Sequence, residues 1–211
     1  MQVSLVENLI PRFTPEEATG VRLQFEFEEE NRKMTPDEFW EFCAKNRKVR
    51  AELTRDGEVI IMPPTGFETS DKNQEILLQL GNWAKTDKSG IVTGSDAGFV
   101  LPNGAVYAPD AAWTLRSRID EFSYEERQKF LLLCPDFVLE LRSPSDSLSK
   151  LQAKMDEYIE NGARLGWLMD PYRKEVYIYR PSREPEILQN PARVSGEDVL
   201  IGFELDLSEI W

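Results

Sequence analysis

Residues 134–158 read CPDFVLELRSPSDSLSKLQAKMDEY. The run FVLEL has the apolar density of a buried strand, yet Glu140 stands near its centre. Alternation puts Val138, Glu140 and Arg142 on one face and Phe137, Leu139 and Leu141 on the other. In a central strand both faces are covered, and a carboxylate there needs a partner. The turn RSPSD then leads into an amphipathic helix with the apolar stripe Leu148, Leu151, Met155 and Ile159. Lys154 and Tyr158 fall along one border of that stripe, whereas Lys150 points nearly away from it. The turn folds the helix back onto the sheet, so Lys154 is expected to approach Glu140 and Lys150 is not.

Outward from this unit, helices and strands alternate. On the N-terminal side, residues 34–46 (MTPDEFWEFCAKN) predict a helix, with Thr35 as cap, Pro36 in the first turn and Glu38 completing a capping box. RAELTRDGEVIIMPP predicts a hairpin with a two-residue turn at Asp56-Gly57. Residues 69–86 predict a helix with the stripe Ile76, Leu77, Leu80, Trp83 and Ala84; Asn73 falls within that stripe and needs a partner, while Glu75 falls outside it. GIVTGSD, GFVLP and AVYAPDAAWTL predict strands, and RIDEFSYEERQKF a charged helical stretch. Beyond residue 158, LGWLMD and EVYIYR predict strands joined by a Pro-Tyr-Arg-Lys turn, and DVLIGFELDLSEIW one more strand and a short terminal segment. The alternation points to one α/β or α+β domain around a mixed sheet, occupying residues 34–211 after an N-terminal extension of residues 1–33.

The composition removes whole classes of chemistry. The 211-residue chain contains no histidine, which excludes Ser-His-Asp and Cys-His catalysis and imidazole-ligated zinc. Acid–base work falls to carboxylates, lysine or tyrosine, and any metal would be a hard ion held by oxygen. The two cysteines, Cys43 and Cys134, show no metal-ligand spacing and are expected as buried thiols in a reducing cytoplasm. No apolar run approaches the roughly 20 residues that span a bilayer, and no secretory signal is visible, so no membrane association is expected. A formal charge of −13 argues against a general nucleic-acid coat protein but leaves room for a local basic groove.

A second acidic residue, Asp110, interrupts the apolar run AVYAPDAAW. Neighbouring strands lie about 4.8 Å apart, so Asp110 and Glu140 could hold one divalent ion. Asp136 shares the strand and face of Glu140, but four residues separate the two by roughly 13 Å, too far for one ion; it reads as a strand-start residue. An aspartate, a glutamate and a lysine at one place fit metal-assisted phosphodiester hydrolysis: one or two Mg²⁺ acidify a water and neutralise charge growing on the phosphate, and the lysine orients or activates the water and stabilises the pentacovalent state. The plainer alternative is that Asp110 and Glu140 are edge or ion-pair residues, with Arg142 or Lys154 as structural partners.

Taken together, Pro109-Asp110, PDFVLELRSPSDS, KMDEY and NGARLGWLMDP resemble the Uma-type family of bacterial restriction endonucleases, within the PD-(D/E)XK nuclease superfamily. The resemblance extends back through RAELTRDGEVIIMPPTG and forward through SGEDVLIGFELDL. It implies a restriction-endonuclease-like core, a mixed β-sheet flanked by helices, and a Mg²⁺-dependent (or Mn²⁺-dependent) DNA endonuclease with Asp110 and Glu140 as metal ligands. The superfamily's basic residue stands two positions after the glutamate, here Arg142; in this family it resembles a lysine moved to the next helix, Lys154. Lys154 is favoured because a guanidinium cannot shuttle a proton. The resemblance also implies site-lining roles for Glu52, otherwise a solvent-facing strand residue, and for Asn73, which stands where many relatives carry histidine. By analogy with restriction-like nucleases a homodimer is expected. The competing expectation is a catalytically inactive binding or assembly module on the same fold.

Overall fold

The structure, a computed structural model, describes residues 10–14, 21–26 and 32–211. Two paired strands, β1 (Ile10–Thr14) and β2 (Val21–Glu26), come first. Helix α1 (Pro36–Lys45) follows with the expected capping box. The Glu38 N–H donates to Thr35 Oγ1 at 3.3 Å, and the Thr35 N–H donates to Glu38 Oε2 at 2.9 Å.

The hairpin of β3 (Arg50–Leu53) and β4 (Val59–Met62) forms, but with a wider turn than two residues. The Thr54 N–H donates to the Glu58 carbonyl at 2.9 Å and Thr54 Oγ1 accepts the Glu58 N–H at 3.1 Å. Arg55, Asp56 and Gly57 therefore make the loop, with Gly57 at φ 81°, a conformation glycine adopts without penalty.

Helix α2 (Phe67–Asp87) begins two residues before the expected start; Ile76 and Leu80 are buried, and Leu77, Trp83 and Ala84 pack beside them. Strands β5 (Gly90–Gly94), β6 (Phe99–Val100), β7 (Val106–Tyr107) and β8 (Ala111–Leu115) come next. AVYAPDAAWTL is thus two strands, not one. Ala108-Pro109-Asp110 carries the chain from one sheet to another, at a proline that has no N–H for a ladder.

The charged stretch does not form a long helix. It gives α3 (Arg116–Ile119) and a 3₁₀ turn at Glu126–Gln128, because without an apolar stripe it has no face to pack. Strand β9 (Phe137–Leu141), helix α4 (Leu148–Glu160) and strands β10 (Leu165–Asp170) and β11 (Glu175–Tyr179) fall where the pattern puts them. Beyond them the pattern missed β12 (Glu186–Gln189) and β13 (Arg193–Ser195); β14 (Glu204–Asp206) is the expected late strand.

Two six-stranded sheets and a two-stranded ribbon result. The first sheet, in the order β1-β2-β4-β3-β7-β6, is antiparallel; the second, β12-β11-β10-β9-β8-β5, is mixed, with β9 and β10 parallel. Strand β9 is central. One of its faces, Phe137, Leu139 and Leu141, is buried with α2 and the β13–β14 ribbon. Gln79 joins that ribbon to α2, donating to the Asp206 carbonyl at 3.0 Å and accepting the Asp206 N–H at 2.8 Å.

The other face lies under α4, where Val138 and Leu168 meet Met155 and Tyr158. Gly166 of β10 permits this approach, since a Cβ there would stand 2.5 Å from Met155 Cε. Helix α1 covers the first sheet through Phe39 and Phe42. Both cysteines are free thiols, Cys134 buried and Cys43 half-buried, and burial pushes each thiol up. No helix among the described residues is long and apolar enough to cross a membrane.

Candidate active site

Where the chain passes between the sheets, the four charged residues Glu52, Asp110, Glu140 and Lys154 converge. The β8–β9 register pairs Ala111 with Leu139, so Asp110, one residue earlier, comes level with Glu140. Asp110 Oδ2 accepts the Leu141 N–H at 2.9 Å, while its Oδ1 faces Asn73 Nδ2 at 3.4 Å and an Arg50 guanidinium nitrogen at 3.8 Å.

Glu140 is 5% exposed. Its Oε1 accepts from Lys154 Nζ at 2.8 Å and from the Tyr158 hydroxyl at 3.1 Å. Lys154 Nζ also donates to Glu52 Oε1 at 2.9 Å, and that same oxygen accepts the Ala108 N–H at 2.9 Å. One ammonium therefore joins a carboxylate of the first sheet to a carboxylate of the second. The rings of Tyr107 and Tyr158 flank it, with centroids 5.1 and 5.8 Å away.

Burial dominates the electrostatics. It raises Asp110 above the ordinary carboxylate range, against the pull of the Leu141 N–H, Lys154 and Arg50. It pushes Glu140 up to about 7, with Lys154 opposing and Asp110 and Glu52 adding to the rise. For Lys154 burial works against the charge, but Glu140 and Glu52 outweigh it and hold the amine protonated above the usual lysine range. Burial and the Glu140 charge raise the Tyr158 phenol as well.

These side chains open into a cleft of about 1030 Å³ between the β3–β4 hairpin, the start of α2 and α4. Among the described residues no three aspartates, glutamates or cysteines close on one point as a ready-made metal cage. The donors present nonetheless fit a small hard ion. Asp110 and Glu140 offer carboxylate oxygens, and the buried Asn73 Oδ1 has no hydrogen-bond partner. Mg²⁺ takes one or two carboxylates and keeps water and substrate oxygens elsewhere, rather than an all-protein cage.

The structure brings Asp110, Glu140, Lys154, Glu52 and Asn73 to this cleft. Glu52 is buried here rather than facing solvent. Arg142 does not line the cleft: its NH1 bonds Asp170 Oδ2 at 2.7 Å and its Nε donates to the Asp146 carbonyl at 3.2 Å, so a buried aspartate draws it away from Glu140. Lys150, expected to point away from the carboxylates, is exposed and lines the cleft. Asp136 stays apart, accepting the Leu115 N–H at 2.9 Å and pairing with Arg118 at 3.0 Å.

Three participants escaped the sequence reading. Arg50 shares a strand face with Glu52, two residues on, and that spacing was the available signal. Tyr158 was placed on the helix border, but its bond to Glu140 was not foreseen. Tyr107 bonds Glu157 Oε2 at 2.7 Å and flanks Lys154; nothing local in AVYAP marks it.

No curated protein matches the chain. Among solved structures, one described as "a putative nuclease belonging to DUF820", from Anabaena variabilis, superposes with a TM-score of 0.68 at 22% identity. The match covers 84% of this chain and 97% of that one, and establishes a shared fold. A family model described as "Putative restriction endonuclease" matches residues 36–208, most of the chain and every residue of the site. The chain with this mixed sheet and its Asp110–Glu140–Lys154 cluster belongs to the Uma2 family.

Proposed function

We propose that the protein is a Mg²⁺-dependent DNA endonuclease that hydrolyses phosphodiester bonds in this cleft. The family description and the name of the structural neighbour support a nuclease. The observation that carries the finer reading is the position of Lys154 Nζ, 2.8 Å from Glu140 and 2.9 Å from Glu52, with the half-buried Asp110 beside Glu140.

In this reading Asp110 and Glu140 hold the ion. When bound, Mg²⁺ would acidify a water and offset the negative charge that grows on the phosphate oxygens. The chain's own groups do the rest. The Leu141 N–H fixes the Asp110 carboxylate, and the Tyr158 hydroxyl and Lys154 fix that of Glu140. Lys154, held protonated, acts as a hydrogen-bond donor and positive charge toward a phosphate oxygen in the transition state. Glu52, itself anchored by the Ala108 N–H, keeps the ammonium in position.

Calorimetry with Mg²⁺ and Mn²⁺ tests the reading, together with nicking of supercoiled plasmid. The wild type should bind and nick, and Asp110→Asn and Glu140→Gln should each lose both. Absence of divalent-ion binding at millimolar concentration, with and without DNA, would leave the nuclease fold as a binding or assembly module.

A further inference from the structure

Two aromatic side chains stand bare at the mouth of the cleft. Phe67, the first residue of α2, is 83% exposed, and Tyr172, in the turn between β10 and β11, is 55% exposed. Of the large hydrophobic side chains exposed among the described residues, these two alone line the cleft. Tyr172 is braced rather than loose. The Arg142 guanidinium stands 5.7 Å from its ring centroid, the Tyr172 N–H donates to Asp170 Oδ1 at 3.0 Å, and the Thr69 side chain of α2 lies against its hydroxyl. Arg142 and the buried Asp170, neither of which reaches Glu140, thus find a common role in holding that ring.

The charge of the same cleft points the same way. Only Arg50, Arg55, Lys150 and Lys154 are basic along a lining in which carboxylates outnumber them. A duplex is gripped chiefly through rows of phosphates by lysine and arginine, and this lining cannot supply them. A single strand meets the same shortage of positive charge, but stacking of its bases on aromatic rings strengthens binding about fivefold or more per base whatever the sequence, and so offsets part of it. The ring faces of bases are free for such contact where a strand is unpaired, not within an intact helix.

We infer that Tyr172, braced by Arg142, and Phe67 form a base-stacking platform at the cleft mouth, and that the substrate taken there is an unpaired stretch of DNA. The inference rests on the nuclease reading for its substrate chemistry, and it adds which form of DNA the site accepts.

Fluorescence polarisation tests it on the full chain. The probe is a fluorescein-labelled 20-nucleotide single strand, compared with the same strand annealed to its complement, in Ca²⁺ to limit cleavage. The single strand should bind roughly tenfold or more tightly than the duplex. Phe67→Ala and Tyr172→Ala should each weaken single-strand binding by about fivefold or more, the low end for one base–aromatic stack. Tyr172→Phe should retain binding. Equal affinity for the two forms, or alanine variants that bind as the wild type does, would overturn the platform. Nicking separates this from failure of the nuclease reading. If Phe67→Ala/Tyr172→Ala still nicks plasmid at the wild-type rate, the platform falls and the nuclease stands. If nothing is cleaved in Mg²⁺ or Mn²⁺ while single-strand binding follows the expected pattern, the platform stands and the nuclease reading falls.

Discussion

Lys154 is the only counter-charge within bonding distance of both Glu52 and Glu140 among the described contacts. Lys154→Met should therefore strip two buried carboxylates of their partner and destabilise the fold by about 3 kcal/mol, read as a lower urea midpoint. It should also reduce nicking by roughly two orders of magnitude at temperatures where the variant remains folded. Glu140 gives the pH dependence its sign. An unfolded glutamate titrates near 4.5, and burial lifts the folded one to about 7, so the folded chain binds the extra proton across that window. Metal-free stability from this group should fall as pH rises from 5 to 8, and Glu140→Gln should flatten the slope of urea midpoint against pH. On the proposed reading Mn²⁺ displaces the same proton, so its affinity should rise over this range, with proton release visible in calorimetry. The residues most legible in the sequence were those whose polarity violates a local pattern: Glu140 in a strand, Asp110 after Pro109, Asn73 in an apolar stripe. Glu52 was less legible, since its partner lies 102 residues away and only the docking of two sheets joins them.

At the level of elements, Gly166 leaves room on β10 for the tip of the Met155 side chain of α4. Gly166→Val should press on Met155 and destabilise the fold by about 1–3 kcal/mol, and Met155→Ala in the same chain should recover part of that loss. A double-mutant cycle by urea unfolding measures this coupling. Asp136 makes a useful contrast with Asp110. Asp136→Ala removes the acceptor of the Leu115 N–H and the partner of Arg118, so it should lower stability by about 1–3 kcal/mol while Mn²⁺ affinity stays within about twofold of wild type. The α1 capping box and the β10–β11 pair were readable because each depends on residues close in sequence. The three-residue hairpin loop was not, because the Thr54 hydroxyl decided it. The charged stretch after β8 misled because it is polar all round, a composition that suits a surface helix and a string of turns equally well.

For the whole molecule, an ion that binds only the folded chain adds stability that grows with the logarithm of its concentration relative to its dissociation constant. Mn²⁺ at about a hundred times its dissociation constant should contribute about 2.7 kcal/mol and raise the melting temperature of the wild type, but not of Asp110→Asn. The alternation of elements announced a mixed sheet with flanking helices, and the structure bears that out in β12-β11-β10-β9-β8-β5. The first sheet, which holds β6 and β7, was hidden, because those strands have two residues each and AVYAPDAAWTL reads continuously across the crossing point.

That crossing has a consequence for when the cluster can exist at all. Glu52 comes from early in the chain, Asp110 from the middle and Lys154 from late, and the ammonium closes only when both sheets are seated against each other. A partly made or half-opened chain would present scattered carboxylates and no shared ammonium. The cluster is therefore a late product of folding, assembled in one step or not at all.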